Sequence, residues 1–141
     1  MALLSDRDAK DVRAQLASLT GLVTLTNFTQ ELACQYCRET EQLLKEITAF
    51  SDKIRLEVYN FQLDKDKVAQ YGVDKIPATA MEGAKDYGIR FYGIPLGYEF
   101  GAFLAAVKDV SRGGTDLSPE SRAALAEIVQ PVHLQVFSTP T

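Results

Sequence analysis

The only two cysteines of the chain lie three residues apart, in Cys34-Gln35-Tyr36-Cys37, and their surroundings restrict the fold more than any other feature. Leu22 to Phe28 is short, β-branched and aromatic with no breaker, as expected of a strand, and Thr29 to Ala33 reads as a loop. From Gln35 to Phe50, the residues Leu43, Leu44, Ile47 and Phe50 form an apolar stripe at helical spacing. A C-x-x-C that follows a strand and opens a helix puts Cys34 at a helix N-terminus, where free amides and the helix dipole stabilise a thiolate. Cys37, one turn further on, faces the same side and can resolve a mixed disulfide on Cys34. So short a loop gains little as a structural staple. Two other readings stay open. The pair could be half a zinc site, although tetrahedral zinc wants four ligands and the chain offers only His133 besides. It could also be an inert buried pair.

The rest of the chain supplies the frame. Asp6 to Leu19 places Val12, Leu16 and Leu19 at helical spacing, with Gly21 as a stop. A second strand is expected over Ile54–Phe61 and a short helix over Lys65–Tyr71, closed by Gly72. Lys75-Ile76-Pro77-Ala78-Thr79 then leads into a strand through Met81, Glu82-Gly83 opens a turn, and Tyr87–Tyr92 pairs back as a hairpin. After the loop Gly93–Gly97 comes a helix with Phe100, Phe103, Leu104 and Val107 on one face, ended by Arg112-Gly113-Gly114. The order helix, βαβ, helix, ββ, helix is an α/β unit over residues 1–114, with helices on both faces of the sheet.

Residues 115–141 stand outside that unit. Pro119 starts another helix, with Leu125, Ile128 and Val129 apolar, and Val132–Phe137 reads as one more strand. Laying Val12–Leu32 over Ser121–Thr141 matches helix to helix and strand to strand, with Arg13/Arg122, Leu16/Leu125, Val23/Val132, Leu25/Leu134 and Phe28/Phe137 identical. The segment resembles the opening of a second unit. A strand of this kind exposes an apolar edge, and a homodimer through it is the expected outcome.

Charge and hydropathy narrow the partners. With 141 residues, 46% of them hydrophobic, the chain can bury one proper core. Fifteen Lys plus Arg against 19 Asp plus Glu give a net charge of -4, and no basic block exists to track nucleic-acid phosphates or a membrane surface. The first twenty residues mix acids and bases and read as an amphipathic helix, not a signal peptide. No stretch approaches the ~20 apolar residues of a membrane span. A cytoplasmic protein is therefore expected.

Tyr71-Gly72-Val73-Asp74-Lys75-Ile76-Pro77-Ala78-Thr79 is the second informative constellation. An Ile-Pro bond adopts cis at tolerable cost, and such a turn facing the cysteines leaves the Ile76 backbone free for an extended substrate. Together with the C-x-x-C it makes the stretch from about Thr20 to Arg112 resemble the thioredoxin superfamily, and within it the amino-terminal unit of the tandem, glutaredoxin-like protein disulfide oxidoreductases. The Gly93–Phe100 run is similar to theirs, and Ser138–Thr141 looks like the lead-in to a second C-x-x-C. The resemblance implies a thioredoxin fold and exchange of disulfides with protein substrates, Cys34 attacking and Cys37 resolving. Tyr36, Ile76 and Pro77 are the expected substrate-binding residues. No metal or organic cofactor is implied, and electrons would come from a separate reductase or partner dithiol. Where thioredoxin proper carries a tryptophan and a buried acid, this chain has Ala33 and Phe28, so the proton acceptor for Cys37 is unassigned. The glycine-glycine-aspartate segment of glutathione-dependent glutaredoxins is missing. The competing function is a peptide-binding module of the same fold whose catalysis belongs to another unit.

Overall fold

The computed structural model describes residues 2–139. Ser5 caps the first helix, α1 (Asp6–Leu16), by accepting a hydrogen bond from the Asp8 amide, with Asp6 and Asp8 at the positive end of the dipole. The chain then runs through β1 (Val23–Thr29), α2 (Cys37–Thr48), β2 (Ile54–Asn60), α3 (Lys65–Tyr71), β3 (Ala78–Glu82), β4 (Asp86–Tyr92), α4 (Tyr98–Arg112) and α5 (Pro119–Ala126). Gly72 and Gly113 end α3 and α4 at φ 63° and 68°, the left-handed conformation that glycine adopts without strain.

The four strands lie in the order β2-β1-β3-β4. β1 is parallel to β2, with Val23 opposite Ile54 and Thr29 opposite Asn60, and antiparallel to β3, with Phe28 opposite Ala78. Alternation along β1 splits the core in two. Val23 and Leu25 face α1, α2 and α4, where Val12, Leu16, Leu43, Leu44, Ile47, Phe103 and Val107 are all buried. Phe28 faces the other way and packs with Tyr71, Val73, Ala78 and Ala80 under α3. The expected α/β architecture with helices on both faces is thus observed.

Two expectations need correction. The helix after the cysteines begins at Cys37 and not at Gln35, because residues 31–33 and 35–36 bend the chain on either side of Cys34. The strand expected over Val132–Phe137 does not form, although α5 before it does. Helix α5 is secured locally, by the Ser118 side chain on the Ser121 amide and by Pro119 in its first turn. A strand has no such local source of bonds, and β2 and β4 remain the edges of the sheet. Val132, Leu134 and Phe137 are 63%, 86% and 89% exposed, whereas their repeat counterparts Val23, Leu25 and Phe28 are completely buried. Pro140 and Thr141, in the expected lead-in to a further C-x-x-C, lie outside the described residues.

Candidate active site

One end of the sheet collects the loops that matter. β1 leaves the sheet there at Thr29, β2 at Asn60 and β4 at Tyr92, while β3 enters at Ala78, so the cysteine loop and the Ile76–Pro77 turn sit on adjacent strands.

Cys34 and Cys37 form a disulfide with their Cα atoms 5.6 Å apart. The two sulfurs are not equivalent. Cys37, the first residue of α2, is 2% exposed, whereas Cys34 precedes the helix and is partly open to solvent. Ala33 turns the chain into Cys34 at φ 54°, a left-handed conformation that costs a non-glycine residue roughly 1 kcal/mol and that recurs at working sites. Gln30 steadies the loop by donating to the Leu32 carbonyl at 2.6 Å. The first α2 bond runs from the Thr40 amide to the Tyr36 carbonyl, and Tyr36 gives the helix no side-chain cap. Among the described residues, the amides of Cys37, Arg38 and Glu39 therefore have no backbone or side-chain acceptor. They point their dipoles toward the Cys34 end, which favours negative charge on its sulfur.

Across β1, the Ile76–Pro77 bond is cis. Pro77 is buried, its carbonyl accepting from the Gly93 amide at 2.8 Å. Ile76 is partly exposed, and no described residue bonds its backbone amide or carbonyl. Tyr36 is 46% exposed, its hydroxyl accepting from the Gln35 amide group. A pair of charges lies beside the turn, Lys75 donating to Asp74 at 2.7 Å while its ammonium sits over the Tyr92 ring.

Asn27 was not among the residues singled out by sequence. It is fully buried in the central strand, and its side-chain amide donates to the Ala78 carbonyl at 3.1 Å, fastening the residue that follows Pro77. Its Oδ1 has no protein partner. A polar amide inside the run Leu22–Phe28 was the available signal. His133 is exposed in the C-terminal segment. A groove of about 620 Å³ opens between α2 and the outer strand β2, with Cys34 in its wall and Glu31, Arg38, Val58 and Asp64 along it.

Comparison with known proteins agrees with this geometry. The family model of the thioredoxin domain matches residues 29–104, a stretch that holds both cysteines, the Ile76–Pro77 turn and most of the sheet. A protein named "Probable Thioredoxin" from Methanothermobacter thermautotrophicus is 33% identical over 63 residues, 44% of this chain and 69% of that protein. Among solved structures, a protein disulfide oxidoreductase from Aeropyrum pernix superposes with a TM-score of 0.79 at 25% identity, covering 90% of this chain and 56% of that one. The alkylhydroperoxide reductase AhpF of Enterococcus faecalis gives 0.78 at 27% identity, covering 88% of this chain and 60% of the other. The chain spans a little over half the length of these two structures. The disulfide at the mouth of α2 and the α/β sheet beneath it are those expected from the resemblance read in the sequence, and the chain belongs to the thioredoxin domain family.

Proposed function

We propose that the chain is a thiol–disulfide oxidoreductase that exchanges disulfides with protein substrates through Cys34 and Cys37. The observation that carries the reading is the asymmetry of the disulfide: Cys34 is partly exposed just ahead of α2, whose first amides are unbonded, and Cys37 is buried. In the reduced chain the Cys34 thiolate attacks a substrate disulfide, one substrate sulfur leaves and takes a proton, and a mixed disulfide forms on Cys34. The Cys37 sulfur then attacks Cys34, releasing the reduced substrate and restoring the Cys34–Cys37 bond. The free backbone of Ile76 holds the substrate as an extended strand beside Pro77, and Tyr36 rims the site. Electrons return from a separate dithiol or reductase, and the expected place of action is the cytoplasm. Among the described residues no helix is long and apolar enough to cross a membrane.

The test is insulin reduction driven by dithiothreitol. Cys34→Ser should abolish turnover, and Cys37→Ser should accumulate mixed disulfides with the substrate. Retained turnover in the Cys34 variant refutes the assignment. The exposed side chains of Val132, Leu134 and Phe137 support a further element of the reading, a homodimer in which this segment joins a sheet edge of a second copy. Light scattering of the full chain checks it, and a monomer at all concentrations would rule it out.

A further inference from the structure

Cys34 is approached from two sides. The Ile76–Pro77 turn lies on the β3 side of β1, and the groove of about 620 Å³ lies on the β2 side, where the sheet ends. Val58, 40% exposed on the outer strand, gives this groove an apolar patch, and four charged residues line it. Two of the four are committed elsewhere. Glu41 is ion-paired with Lys45, and Asp64 accepts from the Asn60 amide at 2.6 Å. The side chains of the other two, Glu31 and Arg38, are exposed and, among the described residues, make neither an ion pair nor a hydrogen bond. One unspent anion and one unspent cation thus share a groove of ligand size with a single accessible sulfur.

We propose that this groove takes a low-molecular-weight zwitterionic thiol of the amino-acid or short-peptide kind, with its carboxylate on Arg38, its ammonium on Glu31 and its sulfur directed at Cys34. The bound thiol reduces the disulfide. This rests on the reading of Cys34–Cys37 as an exchanging pair and adds the class of small reductant to it. The thiolate attacks Cys34, since Cys37 is only 2% exposed. The Cys34–Cys37 bond breaks, and its electron pair goes to the Cys37 sulfur, which takes a proton. A second thiol attacks the mixed disulfide and leaves as the small-molecule disulfide, freeing the Cys34 thiolate. Two thiols are oxidised to one disulfide while the protein disulfide becomes a dithiol. The groove lies on the β2 side of β1 and the Ile76–Pro77 turn on the β3 side, so the charge contacts of the small thiol are separate from the backbone that holds a protein substrate, while both sulfurs use the same in-line approach to Cys34 and react in turn.

The experiment measures the rate at which L-cysteine, N-acetylcysteine, cysteamine and 2-mercaptoethanol reduce the oxidised full-length chain, read by alkylation and mass spectrometry. Each rate is divided by that thiol's rate with a small disulfide free in solution, which removes intrinsic nucleophilicity. L-Cysteine should exceed 2-mercaptoethanol by about 1.5- to fivefold for each charge contact, the size of an exposed ion pair, and lose that advantage in 1 M salt. Arg38→Gln should slow L-cysteine and N-acetylcysteine and spare cysteamine. Glu31→Gln should slow L-cysteine and cysteamine and spare N-acetylcysteine. Equal normalised rates for all four thiols, or variants that shift all four alike, would overturn the groove assignment while dithiothreitol-driven insulin turnover persists. Loss of that turnover overturns the exchange reading itself.

Discussion

Replacing Asn27 by Asp tests how dry the interior is directly beneath the Ile76–Pro77 turn. Asn27 is completely buried, and its amide nitrogen stands 3.1 Å from the Ala78 carbonyl oxygen and 3.5 Å from Thr79 Oγ1. In Asn27→Asp an oxygen takes the place of that nitrogen. Protonated, the new carboxyl can still donate to Ala78. Ionised, it brings a buried charge against a carbonyl oxygen. Burial of this degree raises a carboxyl pKa by up to ~3–5 units, each worth about 1.36 kcal/mol. Taking ~3 units, the folded pKa rises from about 3.9 to roughly 7. The sign follows from linkage. The variant keeps its relative stability below the unfolded pKa and loses it as pH climbs through the folded one, by about 4 kcal/mol at pH 8. Urea unfolding of variant and parent at pH 4 and pH 8 measures this as a difference between their midpoints. With a slope of roughly 2 kcal/mol per molar urea, the midpoint gap should widen by about 2 M at the higher pH. An equal gap at both values would mean that water reaches residue 27, and would refute the argument for a dry, partner-poor site.

Three further outcomes follow from the geometry. Ser111, at the opposite end of the sheet from the disulfide, accepts from the Thr20 and Gly21 amides and donates to the Gly21 carbonyl; Ser111→Ala should cost about 2 kcal/mol and several degrees of Tm by calorimetry, with the reduction rate at Cys34 unchanged. The Tyr71 hydroxyl donates to Glu82 at 2.6 Å, and burial, followed by that carboxylate, pushes its pKa above the ordinary value. The stability this contributes is present below about pH 10 and lost as pH rises further, so Tyr71→Phe should be less stable than the parent at neutral pH and should flatten the alkaline decline followed by circular dichroism. The Arg90 guanidinium bonded to Asp86 holds that carboxyl below the usual range, with the pair partly exposed. Asp86→Asn should therefore cost under about 1 kcal/mol at neutral pH in chemical unfolding, a deficit that disappears as pH falls below the carboxylate range.

Much of this protein is written in local signals. The apolar spacing of Leu43, Leu44 and Ile47 and the stops at Gly72 and Gly113 each act within a turn or two of themselves, so the order of elements through α4 and both cysteines of the site could be read from the sequence. Helix α5 forms for the same reason, since its amides find their partners within the segment. The tertiary structure decided what depends on distant partners. Val132, Leu134 and Phe137 carry the same side chains as Val23, Leu25 and Phe28, yet only the β1 set is buried in a strand, because only β1 has β2 and β3 beside it to bond its backbone. Asn27 reads as a stray polar residue until β3 places the Ala78 carbonyl against it. The order of the two sulfurs along the helix is legible in C-x-x-C, but their difference in exposure arises from packing: α2 buries Cys37 and leaves Cys34 at the rim.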